Sequence, residues 1–598
     1  MADEPAACGE QLIMNNHPVH KLGTKAKVLL SSVFGPYAQD DKYGSRRVNP
    51  MELYQNQVTR VQGVFSLRMF HRSFGLLMIQ ANLDAPCQLL DFPDLDRFVY
   101  EIQHNHYDIV GISAIVPNVG KVKKMCELVR LYQPKATIVV GGHIANLGGL
   151  DETIAADFIV RGDGIRWFRK FLGQDEKAPV KHPVTSSAHN TRILGHTLAE
   201  KQGDTAAIVI PSVGCPMGCN FCSTSALFGG KGKFINFYET GDELFSVMVQ
   251  LEKKLKTKSF FILDENFLLH RQRALRLLSL MQEHRKSWSF YVFSSARVIQ
   301  SYTMEELVGL GVSWVWMGLE GRNSQYRKLN GVDTRAQVRQ LQSHGIRVLG
   351  SSIIGLEEHT MENIDQVIDY AVSHDTDFHQ FMLYTANPGT PLYEQLKNAG
   401  RLLPAREFAH ADSHGQYRFN HRHQHITDHQ EEQLLLSAFR RDFEMNGPSL
   451  YRMMRTLLMG WQRYKNHADA RIRERYAREV KPLRSTYAGG IWAMARWYRR
   501  DGRMSQKMAV LLDSLYEAFG MKTRIVAPLF GRYIYAAMKK EEKRLTSGWT
   551  LEPATFYQGQ PAVAISESDA STSSLAAAAL IAPKPTTSFG PAMAESRQ

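Results

Sequence analysis

From about residue 205 to residue 424 the chain repeats one pattern six times. A short apolar run ends in polar or glycine residues, and a stretch with apolar residues at helical spacing follows. The runs are AAIVIPSV, SFFIL, SFYVFSS, SWVWMG, IRVLGSSIIG and FHQFMLYT; DELFSVMVQLEKKL and RALRLLSLMQEH are two of the helical stretches. Strands that alternate with helices predict a parallel sheet covered by helices. Six units fall short of the eight of a closed (β/α)₈ barrel, so 205–424 is expected to form a partial (β/α)₆ barrel of the TIM type.

A shorter series precedes it. KAKVLLSSV, CQLLDF, YDIVGISAI and ATIVVGG read as strands, VGKVKKMCELVRLY as a helix between the last two, and DFIVRGDG as a further strand. This predicts an α/β domain of Rossmann-like type over 25–175, after a disordered lead at 1–24 and before a polar linker at 176–204. Residues 425–546 read almost entirely as helix. The tail at 547–598 is rich in Ala, Ser, Thr and Pro and is expected to be disordered. No repeat at a solenoid period is present.

The start, MADEPAACGEQ, is acidic and lacks an apolar run, so no signal peptide is expected. No apolar run reaches the ~18 residues that span a bilayer. Six cysteines in 598 residues do not make a disulfide framework, so a reducing, cytoplasmic setting is expected. The net charge of +13 is concentrated: 451–545 holds 22 Lys or Arg against 8 Asp or Glu. Such a surplus suits an anionic surface or substrate, or a solvated helical face. It comes with no recognisable nucleic-acid module, and no nucleic-acid partner is expected.

Three of the cysteines, Cys215, Cys219 and Cys222, form C-x3-C-x2-C just after the first strand of the six-unit series. Active sites of such barrels collect at that face. Thiolates ligate iron–sulfur clusters and zinc, but structural zinc usually brings a second C-x2-C or a His pair, and none follows here. The other strands of the series also end in polar groups: Asp264-Glu265-Asn266, Ser294-Ser295-Ala296-Arg297, Gly318-Leu319-Glu320 and Ile353-Ile354-Gly355. Gathered at one rim these read as a site; singly, each also fits a strand cap or a salt bridge. In the front domain two strand ends stand out, Gly111 to Asn118 and Val140-Gly141-Gly142-His143. The glycine pair lets a bulky ligand approach the backbone, and Ser113 can hydrogen-bond it.

The cysteine spacing in this barrel context resembles the radical S-adenosylmethionine (SAM) superfamily. The resemblance implies a [4Fe–4S] cluster on Cys215, Cys219 and Cys222, whose open iron chelates SAM and cleaves it to a 5′-deoxyadenosyl radical. It implies that Phe221 lies near the adenine, that Ile353 and Gly355 in GSSIIGLEE contact the adenine, and that Ser295, Arg297 and Glu320 hold the ribose or the methionyl part. Asp264 and Glu265 stand where the family usually has GGE. TANPGTPLYE matches a loop found after strand six, or is a plain Pro-Gly turn.

An α/β domain directly before such a barrel resembles the cobalamin-binding domain of B12-dependent radical SAM enzymes, and the two together cover about residues 25 to 420. Ser113, Val116, Pro117, Asn118, Gly141, Gly142 and His143 are then the candidate cobalamin contacts. No D-x-H-x-x-G motif supplies a cobalt-ligating His. Val116, Pro117 and Asn118 are therefore expected to face cobalt, and a domain that has lost cobalamin also fits. His143 fits a ligand or a satisfied strand-end histidine. RGDG resembles an RGEGE turn, with Ile165 in place of its second Glu.

The implied reaction is methylation of an unactivated carbon of a lipid, isoprenoid or other small molecule, with methyl groups from SAM passing through cobalamin. An electron donor such as flavodoxin or ferredoxin is implied as a partner. A radical rearrangement, cyclisation or carbon–carbon coupling is the alternative, and a non-catalytic iron–sulfur or zinc protein is the alternative of another class. No strongly nucleophilic side chain is required, and no catalytic residue is assigned beyond the cofactors. The basic, aromatic segments GIWAMARWYRR and LFGRYIYAAMKK suit peripheral contact with an anionic membrane.

Overall fold

The computed structural model describes residues 18–35, 43, 48, 52–187, 189–198, 205–320, 326, 329, 331–427, 429–549, 551, 556–559 and 564–565. The expected lead lies mostly outside these residues, as does most of the tail.

The N-terminal domain is a parallel sheet of β1 (Val28–Ser32), β2 (Cys87–Asp91), β3 (Ile109–Ser113), β4 (Thr137–Gly141) and β5 (Phe158–Ile159), in the order β2-β1-β3-β4-β5. Alternate residues of β1 face opposite ways, as a pleated strand requires. Leu29 packs with α2 (Leu95–His104) and α3 (Val119–Tyr132), through Phe98, Ile102, Val122 and Met125. Val28 and Leu30 pack with α1 (Phe74–Ala81) and α4 (Gly164–Phe171), through Leu76, Leu77, Phe168 and Phe171. Both faces are covered, which is why these strands read as unbroken apolar runs. The order reverses between β1 and β3, and in doubly wound sheets ligands bind outside the carboxyl ends of the strands at such a point.

The second sheet is β6 (Ala207–Val209), β7 (Ser259–Ile262), β8 (Ser289–Ser295), β9 (Val312–Gly318), β10 (Arg347–Ile354) and β11 (Phe378–Leu383), all parallel and in sequence order. Helices return the chain between strands. Among them are α6 (Gly241–Leu255) and α8 (Met304–Leu310), each opened by a Thr–Glu capping box, Thr240 with Glu243 and Thr303 with Glu306. Between α6 and α8 runs α7 (Arg271–Glu283), and α5 (Ser223–Leu227) is the short helix after the cysteines. Six strands in one run make the expected partial barrel. Its interior carries a layer of rings: Phe293 stacks on Trp316 at 5.0 Å, Trp314 on Phe378 at 5.4 Å, and Tyr54 meets Phe378 at 6.0 Å. These rings fill the middle of the barrel and leave its open space at the carboxyl ends of the strands.

Tyr54 comes from a segment absent from the expectation. Residues 52–70 leave the N-terminal domain and lie against β11, with a π-helical turn at Tyr54–Val58. Arg68–Phe70 then pairs with His189–Ile193, which pairs with His196–Thr197. The polar stretch expected as a linker therefore contains strands. The pairing of His189–Ile193 with Arg68–Phe70 spans more than a hundred residues, beyond the reach of local periodicity, whereas that with His196–Thr197 is a local hairpin.

The C-terminal region is helical as expected: α9 (Glu431–Asn446), α10 (Ser449–Tyr464), α11 (Ala470–Glu479), α12 (Thr486–Trp497) and α13 (Gly502–Thr546). It locks to the barrel through Glu479, which accepts from Arg347 at 2.7 Å and from Ser289 at 2.8 Å. Part of the positive surplus is internal: Arg452 is fully buried on Asp442 at 2.7 Å, and Arg471 and Arg475 are also buried. Beyond the helices, β12 (Phe556–Gln558) adds antiparallel to the β2 edge, inside the tail expected to be disordered. Among the described residues no helix is long and apolar enough to cross a membrane.

Candidate active site

The three cysteines lie on a tight loop between β6 and α5. Gly218, between the first two, has φ +61°, and a Cβ there would stand 2.6 Å from Lys231 Cα. Cys222 N–H donates to the Cys219 carbonyl at 3.0 Å, and Ser225 Oγ donates to the Cys215 carbonyl at 2.8 Å. Cys222 caps α5, its Sγ accepting from Ser225 N–H at 3.5 Å. Hydrogen bonds to sulfur favour the thiolate that a metal needs. All three thiols are half-buried, whereas Cys87 and Cys126 are buried in the N-terminal core, where burial pushes their thiols up and makes them inert. Burial also raises Cys215, to about 11, so its proton is given up only when a metal takes the sulfur. Cys8 lies outside the described residues.

The loop forms one wall of a cavity of ≈860 Å³ at the carboxyl ends of the barrel strands. Cys215, Cys219, Phe221 and Cys222 line it, and Glu265, Ser295, Glu320 and Ile353 line it from the strand ends. Three buried polar atoms of its lining have no protein partner, Glu265 Oε2 and Ser295 Oγ at the strand ends and Asn146 Nδ2 from the front domain. Burial pushes the Glu265 carboxyl up to about 8. Buried polar atoms without partners are costly, so this wall suits a polar ligand that supplies hydroxyl and ammonium groups. A SAM ribose and amino group match that donor set. Phe221 is held by Tyr326 and Tyr384, at ring distances of 5.2 and 6.2 Å.

Three expected residues do not line this cavity. Arg297 is exposed: β8 ends at Ser295, a helix begins at Ala296, and Arg297 lies on its solvent side. Gly355 is buried beneath Phe419, whose ring leaves no room for a Cβ, so its glycine serves packing. Asp264 faces a smaller neighbouring cavity, and its carboxylate is already engaged by Arg273 and Ser212, each at 2.5 Å.

That smaller cavity, ≈600 Å³, lies between the front domain and the barrel. Ser113, Gly141, Gly142 and His143 line it, with Gly111, Gly162 and Gly164, and the barrel closes it through Val213, Thr224 and Leu227. Glycines at the carboxyl ends of a doubly wound sheet leave backbone bare at the cavity wall, which fits a large ligand lying on it, although a Cβ on Gly111, Gly142 or Gly164 would also meet Leu30, Ala114 or Ile79 within 3 Å. Val116 and Pro117 line the larger cavity instead, facing the cysteine loop. Asn118 is buried and lines neither. His143 borders both cavities, with Nε2 3.4 Å from Thr224 Oγ1 on α5, and burial lowers its pKa, keeping the ring neutral. In the RGDG turn Asp163 caps α4, accepting from Ile165 and Arg166 N–H.

Other lining residues carried little signal in the sequence. Trp316 Nε1 donates to Ser351 Oγ at 2.7 Å, Ser351 Oγ to Gln380 Oε1 at 2.8 Å, and Gln380 Nε2 to Gln57 Oε1 at 3.2 Å. This polar ladder forms the cavity floor above the ring layer. Gln380 interrupts an apolar strand, and that interruption was the one available hint; Gln57 offered none. Asn220, between two cysteines, hydrogen-bonds Tyr326 and Tyr384 through its side chain. Its carbonyl accepts from Leu392 N–H, tying the loop to TANPGTPLYE, whose Asn387 and Pro388 also line the cavity.

The family profile described as "Radical SAM superfamily" matches residues 209–371, and that described as "B12 binding domain" matches residues 63–172. An uncharacterized methyltransferase of Pyrococcus horikoshii is 24% identical over 52% of this chain and 73% of its own length. The bacteriochlorophyllide d C-12(1)-methyltransferase of Chlorobaculum tepidum is 24% identical over 49% of this chain and 67% of its own. The structure of a radical S-adenosylmethionine methyltransferase, TsrM, from Kitasatospora setae with cobalamin and [4Fe-4S] cluster bound aligns with a TM-score of 0.48. It is 14% identical, over 76% of this chain and 99% of that one.

Proposed function

Because the chain carries a B12 binding domain ahead of a radical SAM domain, we infer that it is a cobalamin-dependent radical SAM methyltransferase acting on an unactivated carbon of a small, largely apolar molecule. The observation that carries this reading is the pair of adjoining cavities. One joins the cysteine loop to the strand-end polar groups, the other is floored by glycines, and His143, Thr224, Glu265 and Phe293 border both. In this reading Cys215, Cys219 and Cys222 hold a [4Fe–4S] cluster. Phe221, Glu265, Ser295, Glu320 and Ile353 hold SAM, and Ser113, Gly141 and Gly142 hold cobalamin. Together the cofactors supply hydrogen-atom abstraction and methyl transfer.

The chain's own residues bind, orient and exclude water. Glu265 and Ser295 present unpaired oxygens to the ligand. Val116 and Pro117 present an apolar wall that offers no ligand atom to a metal. The ladder from Trp316 to Gln57 fixes the floor, and Leu53, Phe293, Met382 and Tyr384 supply apolar and aromatic contact for a substrate body. Neutral polar groups and apolar side chains share the lining, and no Lys or Arg is among its described residues, which favours a lipid or isoprenoid over an anionic substrate. A low-potential one-electron donor such as flavodoxin or ferredoxin completes the system.

The test is anaerobic purification with cluster reconstitution. About four iron per chain and a bound corrinoid are expected, with both 5′-deoxyadenosine and S-adenosylhomocysteine formed in turnover. Protein that takes up iron but releases neither product overturns the enzymatic reading. Deoxyadenosine alone replaces methylation with rearrangement or cyclisation.

A further inference from the structure

We propose that the last helix docks this protein onto a lipid bilayer rich in anionic headgroups. The proposal stands on a surface remote in sequence from the cofactor residues and does not depend on the reading above. α13 breaks at Gly520, where φ is +75°. After the break Met521, Ile525, Leu529 and Tyr533 follow at four-residue steps and are 67%, 57%, 61% and 67% exposed. That spacing sets them along one face about 18 Å long. The side turned to α12 holds small residues instead. Thr523, Ala527 and Gly531 are buried, and a Cβ on Gly531 would stand 2.4 Å from the Trp492 ring. Over residues 521–533 the helix is thus packed by its small residues and leaves Met521, Ile525, Leu529 and Tyr533 in solvent, the reverse of a stretch that only serves a core; Ile534 and Met538 return to the core beyond it. Contiguous exposure of this kind marks an interaction site.

The charge around the stripe says what covers it. Between Glu517 and Glu541 there is no Asp or Glu, while Lys522, Arg524, Arg532, Lys539 and Lys540 are present and all exposed. The end of α12 and the turn beyond it add exposed Arg496, Arg499 and Arg500. Apolar side chains set among cations match the headgroup boundary of an anionic bilayer, where the former insert and the latter pair with phosphates. A second copy of this chain would bring the same cations against one another. With no helix able to cross a membrane among the described residues, the contact is peripheral.

The experiment is flotation of the full chain with vesicles of phosphatidylcholine alone, or of phosphatidylcholine and phosphatidylglycerol at two to one. Flotation is expected with the second vesicle and not the first, and is weakened by salt as screening shortens. Ile525→Asp with Leu529→Asp is expected to lower binding at least about tenfold. Lys522→Ser and Arg532→Ser should each lower it about fivefold. All these side chains are exposed, so melting temperature and elution volume stay unchanged. Three results overturn the proposal: no flotation on anionic vesicles at low salt, flotation that survives the double Asp variant, or a lipid-free dimer that this variant makes monomeric.

Discussion

Replacing Gly355 by alanine separates two roles that the strand-end GSSIIGLEE could play. Gly355 has φ +84°, and a Cβ built on it would stand 2.3 Å from Phe419 Cζ and 2.5 Å from Cε1. Two costs combine. An L side chain in the left-handed region loses about 1–2 kcal/mol, and forcing aside a ring that is only 3% exposed adds about 1–3 kcal/mol. Gly355→Ala should therefore destabilise the cluster-free protein by about 2–5 kcal/mol, lowering the melting midpoint by about 2–4 °C. Phe419→Leu shrinks the obstructing ring. In that background Gly355→Ala should cost only the backbone part, about 1–2 kcal/mol, and the double-mutant cycle should show the difference as coupling. The assay is thermal and denaturant unfolding of the four proteins without cluster or SAM. If Gly355→Ala leaves that stability unchanged and weakens only SAM binding by reconstituted protein, the packing argument is refuted and Gly355 returns to the nucleotide.

Cys222→Ser keeps an acceptor for Ser225 N–H and so should preserve the α5 cap, worth about 1 kcal/mol; bound iron should fall to background with unfolding unchanged, read by iron assay and melting. Ser351→Ala removes the centre of the ladder and leaves Trp316 Nε1 and Gln380 Oε1 without their partner, which should cost about 1–3 kcal/mol in denaturant unfolding. His182 is fully buried, its Nε2 accepting from Ile210 N–H at 3.0 Å, and burial lowers its pKa to about 4. The unfolded chain takes that proton near pH 6.5 while the folded chain does not until about pH 4. Its stabilisation is thus complete above pH 6.5 and lost as pH falls through that window. His182→Gln should narrow the stability difference between pH 7 and pH 5 by up to about 2 kcal/mol, measured by urea titration at both pH values.

The strand–helix alternation and the strand-end polar groups were legible because each is a local pattern. Among the strand-end residues, Glu265, Ser295, Glu320 and Ile353 do meet at one cavity with Phe221 and the three cysteines. Arg297, Gly355, Asp264 and Asn118 show the limit of that reading. A strand end tells which residues are near the rim, but two positions along the chain can carry a side chain from the cavity wall to solvent. Asp264 is adjacent to Glu265, yet Arg273 and Ser212 engage one while the other keeps an unpaired oxygen. Gln57 had no pattern at all, since its place on the floor depends on a segment reaching β11, more than 300 residues further along.

The sequence alone determined two sheets, their order along the chain and a thiol trio at the mouth of the second. These follow from periodicity and spacing within a few turns, where backbone geometry leaves few choices. Only the tertiary structure decided which polar groups remain unpaired, where the two domains enclose space, and which face of the last helix stays bare. Each of those depends on which distant partner a side chain meets, and that choice is made by the packing of the whole chain.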